Sequence, residues 1–361
     1  MKRVLFITNY ASPYRVCFYD ELAKHMDVTV LFSDRIEDKK HRSADWFISG
    51  TGAFHKVQLE KRLADKNLCL DVIPWLKKTW DAIVVCGYAY PTIVLAMLYM
   101  RLHGIPFYME VDGGLIRETS GPKYRFKRYL VSRATAWIGS GKATTRYLVN
   151  YGAREEAVHT YPFTSLWETD ILSDVPSEEE KRNLREKLDM TEKKIVLYVG
   201  RYDPKKGMDD LLHIVPKLDA DAGVYFVGGE PTQAHLEFCE SNHIVNAHFV
   251  GFTKKEALSD YYKAADLLVL PTKSDVWGLV INEAMACGLP VVTTDQCVAG
   301  LELVENDVCG QIIPVNDEDA LAEAVNRCLA ADYRAMGAAA LEKIRYYTIE
   351  NMAKVHAEIF S

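Results

Sequence analysis

No two of the eight cysteines, Cys17, Cys69, Cys86, Cys239, Cys287, Cys297, Cys309 and Cys328, have CxxC spacing, which argues against a paired-thiol redox or zinc motif. Most of them lie in apolar runs, so they are expected to be reduced, buried thiols of a cytosolic protein. The ten histidines are scattered without ligand spacing, and no metal site is expected. Long apolar runs are also missing. The longest, Thr92 to Met100, ends at Arg101 and is too short to span a bilayer. The start, Met1 to Asn9, has an apolar core of only four residues before Thr8, short of a signal peptide's central region, so it reads as a first buried strand. No G-x-G-x-x-G follows that strand, which argues against a nicotinamide enzyme. The stretch Ile138–Thr144, IGSGKAT, fails as a phosphate loop. Ala136 stands where the first glycine is needed, and Ala143 where Ser or Thr is needed. Positive charge is not in excess: 43 Lys and Arg face 50 Asp and Glu, for a net charge of −7, which argues against general nucleic-acid binding. Short-period repeats and low-complexity tracts are absent.

What is present is an alternation of apolar strands and one-sided helices, and it occurs twice. The first half offers strands at Val4–Thr8, Val28–Phe32, Ala82–Cys86, Phe107–Val111 and Ala136–Gly139. The second half offers Ile195–Val199, Val224–Val227, His248–Val250, Leu267–Leu270 and Pro290–Thr293. Strands that are apolar throughout, interleaved with helices, imply parallel sheets covered on both faces. The expected class is therefore α/β with two doubly wound, Rossmann-like domains. At 361 residues the chain has the length for two cores. The expected division is a first domain over 1–169, a polar linker region over 170–192 with a surface helix near Glu178–Leu188, and a second domain over 193–346. The closing segment 347–361 is expected to be a helix, with Met352, Val355 and Ile359 on one side, packed back on the first domain. In such sheets ligands bind beyond the carboxyl ends of the strands, and two sheets facing each other would form a cleft.

Two segments of the second half carry chemistry. In "VLYVGRYDPKKGMDDLL", Val196 to Leu212, a strand ends at Gly200 and Arg201, Lys205 and Lys206 precede a helix. Cations beside a helix N-terminus suit a diphosphate, which Arg grips in a fork and Lys meets as a point charge. Solvated loop charges explain the same residues. In "SDVWGLVINEAMACGLPVV", Ser274 to Val292, Asp275 lies in the loop before a helix and Glu283 lies inside it. Carboxylates accept hydrogen bonds from vicinal hydroxyls, as in a sugar or ribose. Helix capping explains Asp275 equally well, but not Glu283 within an apolar run.

These two motifs, with "GFTKKEALSDYYKAADLLVLPT" between them, resemble glycosyltransferase family 4, whose fold is GT-B. The resemblance covers the second domain nearly end to end and is looser in the first. It implies retaining transfer of a sugar from a nucleotide donor, a UDP- or GDP-sugar, with no bound cofactor and no metal required. It implies that Arg201 and Lys206 hold the donor diphosphate and that Glu283 takes the ribose hydroxyls. Gly278, Leu279 and Val280 would lie against the donor. Asp275 stands where the family usually has Glu, one methylene longer, and would face the donor sugar or its phosphates.

The first domain is expected to bind the acceptor. Its first strand-to-helix loop, in "TNYASPYRVCFYDEL", has no glycine, so contacts through Asn9, Tyr14 and Arg15 are expected; a loop folded on itself with Arg15 in solvent is the alternative. "FYMEVDGGLIRE" places Glu110 and Asp112 at a strand end, near where many family members have a His over the donor sugar. Asp112 is a candidate to steady an oxocarbenium-like state and Glu110 a candidate acceptor contact; capping of the next segment explains both. From Arg117 to Arg133, six cations (Arg117, Lys123, Arg125, Lys127, Arg128, Arg133) face one acid, Glu118, with Tyr124, Phe126, Tyr129 and Leu130 among them. This reads as a patch for an anionic membrane face or a lipid-diphosphate acceptor. A solvated helix face with its aromatics packed inward is the alternative.

The resulting expectation is a retaining hexosyltransferase acting on a saccharide or lipid-linked acceptor in cell-surface polysaccharide or glycolipid assembly. Domain closure would assemble its site, and its place would be cytoplasmic or peripheral on the inner face of the cytoplasmic membrane. Two other readings stay open: a GT-B nucleotide-sugar enzyme of epimerase type, and a non-catalytic partner that keeps the fold.

Overall fold

The computed structural model describes residues 1–34, 52–61, 63, 68–117 and 119–361. The chain divides into two compact units: unit 1 is Met1–Thr164 with Tyr347–Ser361, and unit 2 is Ser165–Tyr346.

Unit 1 holds a seven-stranded sheet of order β3-β2-β1-β4-β5-β6-β7. Its strands are β1 (Arg3–Thr8), β2 (Asp27–Phe32), β3 (His55–Gln58), β4 (Ala82–Cys86), β5 (Tyr108–Val111), β6 (Ala136–Gly139) and β7 (Val158–Thr160), and every pairing is parallel. The central strands are the apolar runs of the sequence. Val4, Leu5, Phe6 and Ile7 have no exposed surface, as a strand covered by helices on both faces requires. The edge strands β3 and β7 read HKVQ and VHT and are largely solvated. They have a neighbour on one side only, so no apolar run marks them, and the sequence reading misses both. Helix α1 (Pro13–Leu22) follows β1, and α4 (Gly121–Val131) follows β5. Chain-terminal helix α14 (Ile349–Ile359) packs on α1 in unit 1. Its buried side is Ile349, Met352, Ala353 and His356, one step round from the face that Val355 and Ile359 suggested. Phe360 then seats its ring 6.1 Å from that of Phe6.

Unit 2 holds a six-stranded parallel sheet of order β10-β9-β8-β11-β12-β13. These strands are β8 (Lys194–Val199), β9 (Ala222–Val227), β10 (Ala247–Val250), β11 (Leu267–Leu270), β12 (Val291–Thr294) and β13 (Gly310–Ile313). The edge strand β13 is again unmarked in the sequence reading. Residues 165–192, divided in that reading between a domain tail and a linker, are part of this unit. The polar composition of this stretch hides one anchored face. Helix α6 (Glu178–Lys187) begins at a capping box, in which Ser177 Oγ accepts from Glu180 N and Glu180 Oε2 accepts from Ser177 N. Lys181 and Arg185 on α6 both reach Asp266 before β11, at 2.8 and 2.7 Å. Asp266 also accepts from Ile195 N at 2.8 Å, so the buried carboxylate ties α6 to the start of β8.

Candidate functional site

In each sheet the strand order reverses once, and beside that reversal two neighbouring strands send their following helices to opposite faces. In unit 2 the reversal lies between β8 and β11. The loops that leave these two strands are the two motifs of the sequence. They are joined by main-chain contacts: Lys205 O accepts from Lys273 N at 2.8 Å and from Thr272 Oγ1 at 2.9 Å. Gly207 makes this approach feasible. It is left-handed at φ 72°, and a Cβ there would stand 1.9 Å from Pro271 O. Helix α7 (Met208–Ile214) starts beyond it.

Across this junction Lys206 Nζ donates to Asp275 Oδ2 at 2.5 Å. Asp275 does not cap the next helix, α10 (Leu279–Ala286). The N-cap is Gly278, left-handed at φ 105°, with no side-chain cap bond. A Cβ on Gly278 would meet Cys297 Sγ at 2.8 Å. The capping explanation of Asp275 is therefore set aside: the loop main chain is pinned by Asp275 N to Gln296 O at 2.9 Å, and the carboxylate is aimed at Lys206. Leu279 and Val280 open the first turn of α10, whose N–H groups point back over the loop. Arg201 is exposed at the end of β8, its carbonyl accepting from Tyr198 OH at 3.1 Å.

Glu283 has different surroundings. It is half-buried on α10, and its Oε2 accepts from Tyr262 OH at 2.9 Å, Tyr262 being on α9 (Lys255–Ala264). Burial and the Glu283 charge both push the Tyr262 phenol well above its usual range, so it stays a donor. Both residues line a cavity of about 320 Å³ with Leu166, Asp170, Ser259 and Cys287. A carboxylate with one oxygen held by a tyrosine, on the wall of a cavity of mixed lining, can accept a pair of vicinal hydroxyls.

Unit 1 departs from expectation at the residues suggested for the acceptor. Arg15 is buried. It donates to Glu110 Oε1 at 2.6 Å through Nη1 and to Asp112 Oδ1 through Nη2. Glu110 is wholly enclosed. Arg15 and Glu110 thus satisfy each other inside the unit and are not acceptor contacts, and the solvated alternative for Arg15 fails too. A guanidinium taken out of water needs such partners. Burial, the largest influence, raises the Glu110 carboxyl, but Arg15 and His356 together outweigh it and hold Glu110 well below the usual carboxylate range. Asp112 keeps 29% of its side chain exposed and also accepts from Tyr161 OH at 3.0 Å. It is the member of the cluster still open to a ligand. Tyr14 is half-buried and packs edge-on against Phe163, 5.5 Å between ring centres; burial, then Asp112, pushes its phenol upward. Asn9, half-buried at the end of β1, accepts from Asp34 N at 2.7 Å with its carbonyl. Tyr161 and His356, which complete the cluster, were not singled out from sequence. His356 Nε2 lies 3.6 Å from Glu110 Oε1. The available signal was its position four residues after Met352 on an amphipathic helix.

The basic stretch forms α4. Lys123, Arg125 and Arg128 are exposed, and so are Phe126 at 59% and Tyr129 at 44%. Of the three aromatics Tyr124 turns inward, donating to Asn150 O at 3.0 Å, and Leu130 is buried. The alternative in which the aromatics all pack inward fails at Phe126 and Tyr129. Glu118 lies outside the described residues. Among the described residues no helix is long and apolar enough to cross a membrane, and no three His, Cys, Asp or Glu side chains are grouped as metal ligands.

Residues 180–347 match the family model for glycosyl transferases group 1. The D-inositol 3-phosphate glycosyltransferase of Xylanimonas cellulosilytica is 31% identical to the chain over 217 residues, which are 57% of this chain and 51% of that protein. The chain spans about half or less of the length of the curated relatives it matches. Among solved structures, sucrose-phosphate synthase from Thermosynechococcus elongatus aligns over 100% of this chain and 98% of its own with a TM-score of 0.75 at 19% identity. Anabaena HepE in complex with UDP and glucose aligns over 99% of both chains with a TM-score of 0.68 at 18% identity. At these identities the likeness to the structures is one of fold: two parallel-sheet, Rossmann-like units of the GT-B type.

Proposed function

We propose that the chain is a retaining glycosyltransferase that moves a hexose-type sugar from a nucleoside-diphosphate sugar to a saccharide or lipid-linked acceptor. The observation that carries this reading is the junction at the unit 2 switch point. There a cationic loop, Arg201 to Lys206, and an acid-bearing loop and helix, Asp275 to Glu283, are bound together where a parallel sheet takes its ligands. The group 1 match over 180–347 supports the same reading.

In this reading Arg201 and Lys206 hold the donor diphosphate, joined by the free N–H groups at Gly278, Leu279 and Val280. Glu283 takes the ribose hydroxyls from its cavity. Asp275, released by Lys206 as the diphosphate arrives, accepts from a hydroxyl of the donor sugar. The acceptor oxygen attacks the anomeric carbon on the face the diphosphate leaves, so configuration is retained. The bond from the anomeric carbon to the phosphate oxygen breaks, and the acceptor proton passes to that leaving oxygen. Charge building on the diphosphate is met by Arg201 and Lys206 without a metal ion. Unit 1 takes the acceptor, with Asp112 as its open carboxylate and Asn9 and Tyr14 nearby on the first loop and helix. The exposed cations and aromatics of α4 suit an anionic membrane face, on which a lipid-linked acceptor would be carried.

The test is a panel of UDP- and GDP-sugars, read by thermal shift and by slow hydrolysis. A ligand that binds only the folded chain raises the melting temperature according to its affinity. One base and one sugar class should stand out, and Lys206→Ala and Glu283→Ala should each cut turnover by ~100-fold or more. No shift and no hydrolysis across the whole panel would overturn the proposal.

A further inference from the structure

The charge cluster of unit 1 ends on a side chain that the reaction above does not use. The ring of His356, on α14, is fully buried between Phe18 and Tyr161, with ring centres 4.7 Å from each. Its Nδ1 lies 2.7 Å from Met352 O. A carbonyl oxygen can only accept, so Nδ1 carries a proton. Nε2 has no hydrogen-bond partner, and it faces Glu110 Oε1 at 3.6 Å.

Two states of the ring fit that geometry. In the neutral ring with Nδ1 protonated, Nε2 turns a lone pair on a buried carboxylate, and two acceptors oppose each other. In the imidazolium, Nε2 turns an N–H on that carboxylate, and opposite charges meet out of water, where their attraction is strongest. Burial, and after it the Glu110 charge, holds the Asp112 carboxyl above its ordinary value against the pull of Arg15. The other titratable groups here are neutral donors. Tyr161 OH donates to Asp112, and Cys86 Sγ donates to Glu110 Oε2 at 3.7 Å with Tyr19 OH behind it.

We propose that His356 is a positioning residue: as an imidazolium it clamps Glu110, and through Glu110 and Arg15 it fixes the Asp112 carboxylate at the carboxyl end of β5. The two Arg15 links are hydrogen-bonded ion pairs and His356 stands 3.6 Å behind Glu110, so the orientation of the exposed member is set by the enclosed ones. The chain's last helix thereby acts on the candidate acceptor side without touching a ligand. The link to transfer rests on the function proposed above; the charge state of His356 does not.

Two measurements on the full chain test this. Histidine-selective 15N labelling reports ring protonation in the wild type and in Glu110→Gln. His356 should show both ring nitrogens protonated at about pH 7, and its ring signals should change in Glu110→Gln, which removes the opposing charge. A bare Nε2 at that pH, or a ring unmoved by Glu110→Gln, overturns the clamp. The second measurement is hydrolysis of UDP-glucose and of GDP-mannose. His356→Phe should lower kcat about tenfold or more, with KM for the sugar nucleotide within about twofold. His356→Gln keeps an N–H for Glu110 without the charge; it should recover part of the loss, and it serves in place of His356→Phe where that variant fails to fold. Wild-type kcat in both variants overturns the positioning role. Where another member of the panel above is the one hydrolysed, it replaces these two; should the wild type hydrolyse none of the panel, the function proposal is what fails, and the ring spectra still decide the clamp.

Discussion

Lys206 and Asp275, from the loops that follow β8 and β11, meet at 2.5 Å with most of both side chains enclosed. The pair sits at the sheet's switch point, not inside a core. Asp275→Asn leaves a mostly enclosed Lys206 without its counter-charge, so stability is expected to fall by about 1–3 kcal/mol. Turnover of the sugar nucleotide should fall by ~100-fold, because Asn accepts hydroxyls weakly and leaves Lys206 unbalanced. Melting curves and hydrolysis rates on the same preparation check both halves. A variant with full turnover would remove Asp275 from the site.

Gly207 lets those two loops touch. Any side chain there must occupy a left-handed backbone and displace Pro271 O, which a Cβ would approach to 1.9 Å. Gly207→Ala should therefore cost more than the about 1 kcal/mol of the backbone strain alone. Because Lys206 adjoins Gly207 and the displaced loop carries Asp275, affinity for the donor diphosphate should drop with stability. Thermal denaturation with and without UDP separates the two effects: the UDP-induced shift should shrink as well as the baseline.

How much of this was legible in the sequence follows from what each residue's neighbours are. Central strands such as β1 and β8 are apolar along their whole length because helices cover both faces, and that is visible in one dimension. The edges β3 and β7 are solvated and have no such run, while β13 is mostly buried but opens on Gly310 and Gln311, which leaves Ile312 and Ile313 as its apolar run. In unit 2 the loop residues Arg201, Lys206 and Asp275 stood out because a strand's end, a charge and a helix start are consecutive in the chain. The unit 1 cluster draws on α1, β5, the segment after β7 and α14, so its contacts are long-range and no local pattern announces them. Arg15 looked like a surface cation because nothing near it in sequence shows the two carboxylates that enclose it.

Glu110 makes that cluster sensitive to acid. Its carboxyl is held below the ordinary value of 4.5 because Arg15 and His356 together outweigh burial. A carboxyl lowered on folding contributes stability above its unfolded value, and the contribution is lost as pH falls from about 4.5 toward the folded value. Glu110→Gln should flatten that part of the stability profile, while lowering stability at neutral pH by leaving Arg15 with Asp112 alone. Denaturant midpoints across the acid range in both proteins give the comparison. Parallel profiles would mean that other carboxyls carry the acid dependence.

Helix α4 offers the last expectation. Its exposed cations lie beside exposed Phe126 and Tyr129, and an aromatic ring left in water gains by entering a headgroup layer. Each cation at an anionic surface contributes about 1 kcal/mol, so Arg125→Glu with Arg128→Glu should weaken binding to vesicles of phosphatidylglycerol and phosphatidylethanolamine by more than tenfold. Salt should weaken the wild type in the same direction, since surface charges are screened over about 10 Å at 0.1 M. Phe126→Ala should lower binding with little change in its salt dependence, because it removes apolar contact and no charge. Sedimentation with the vesicles at two salt concentrations reads all three. Equal binding by the charge-reversed variant would leave α4 as an ordinary solvated helix and would detach the lipid-linked acceptor from the argument.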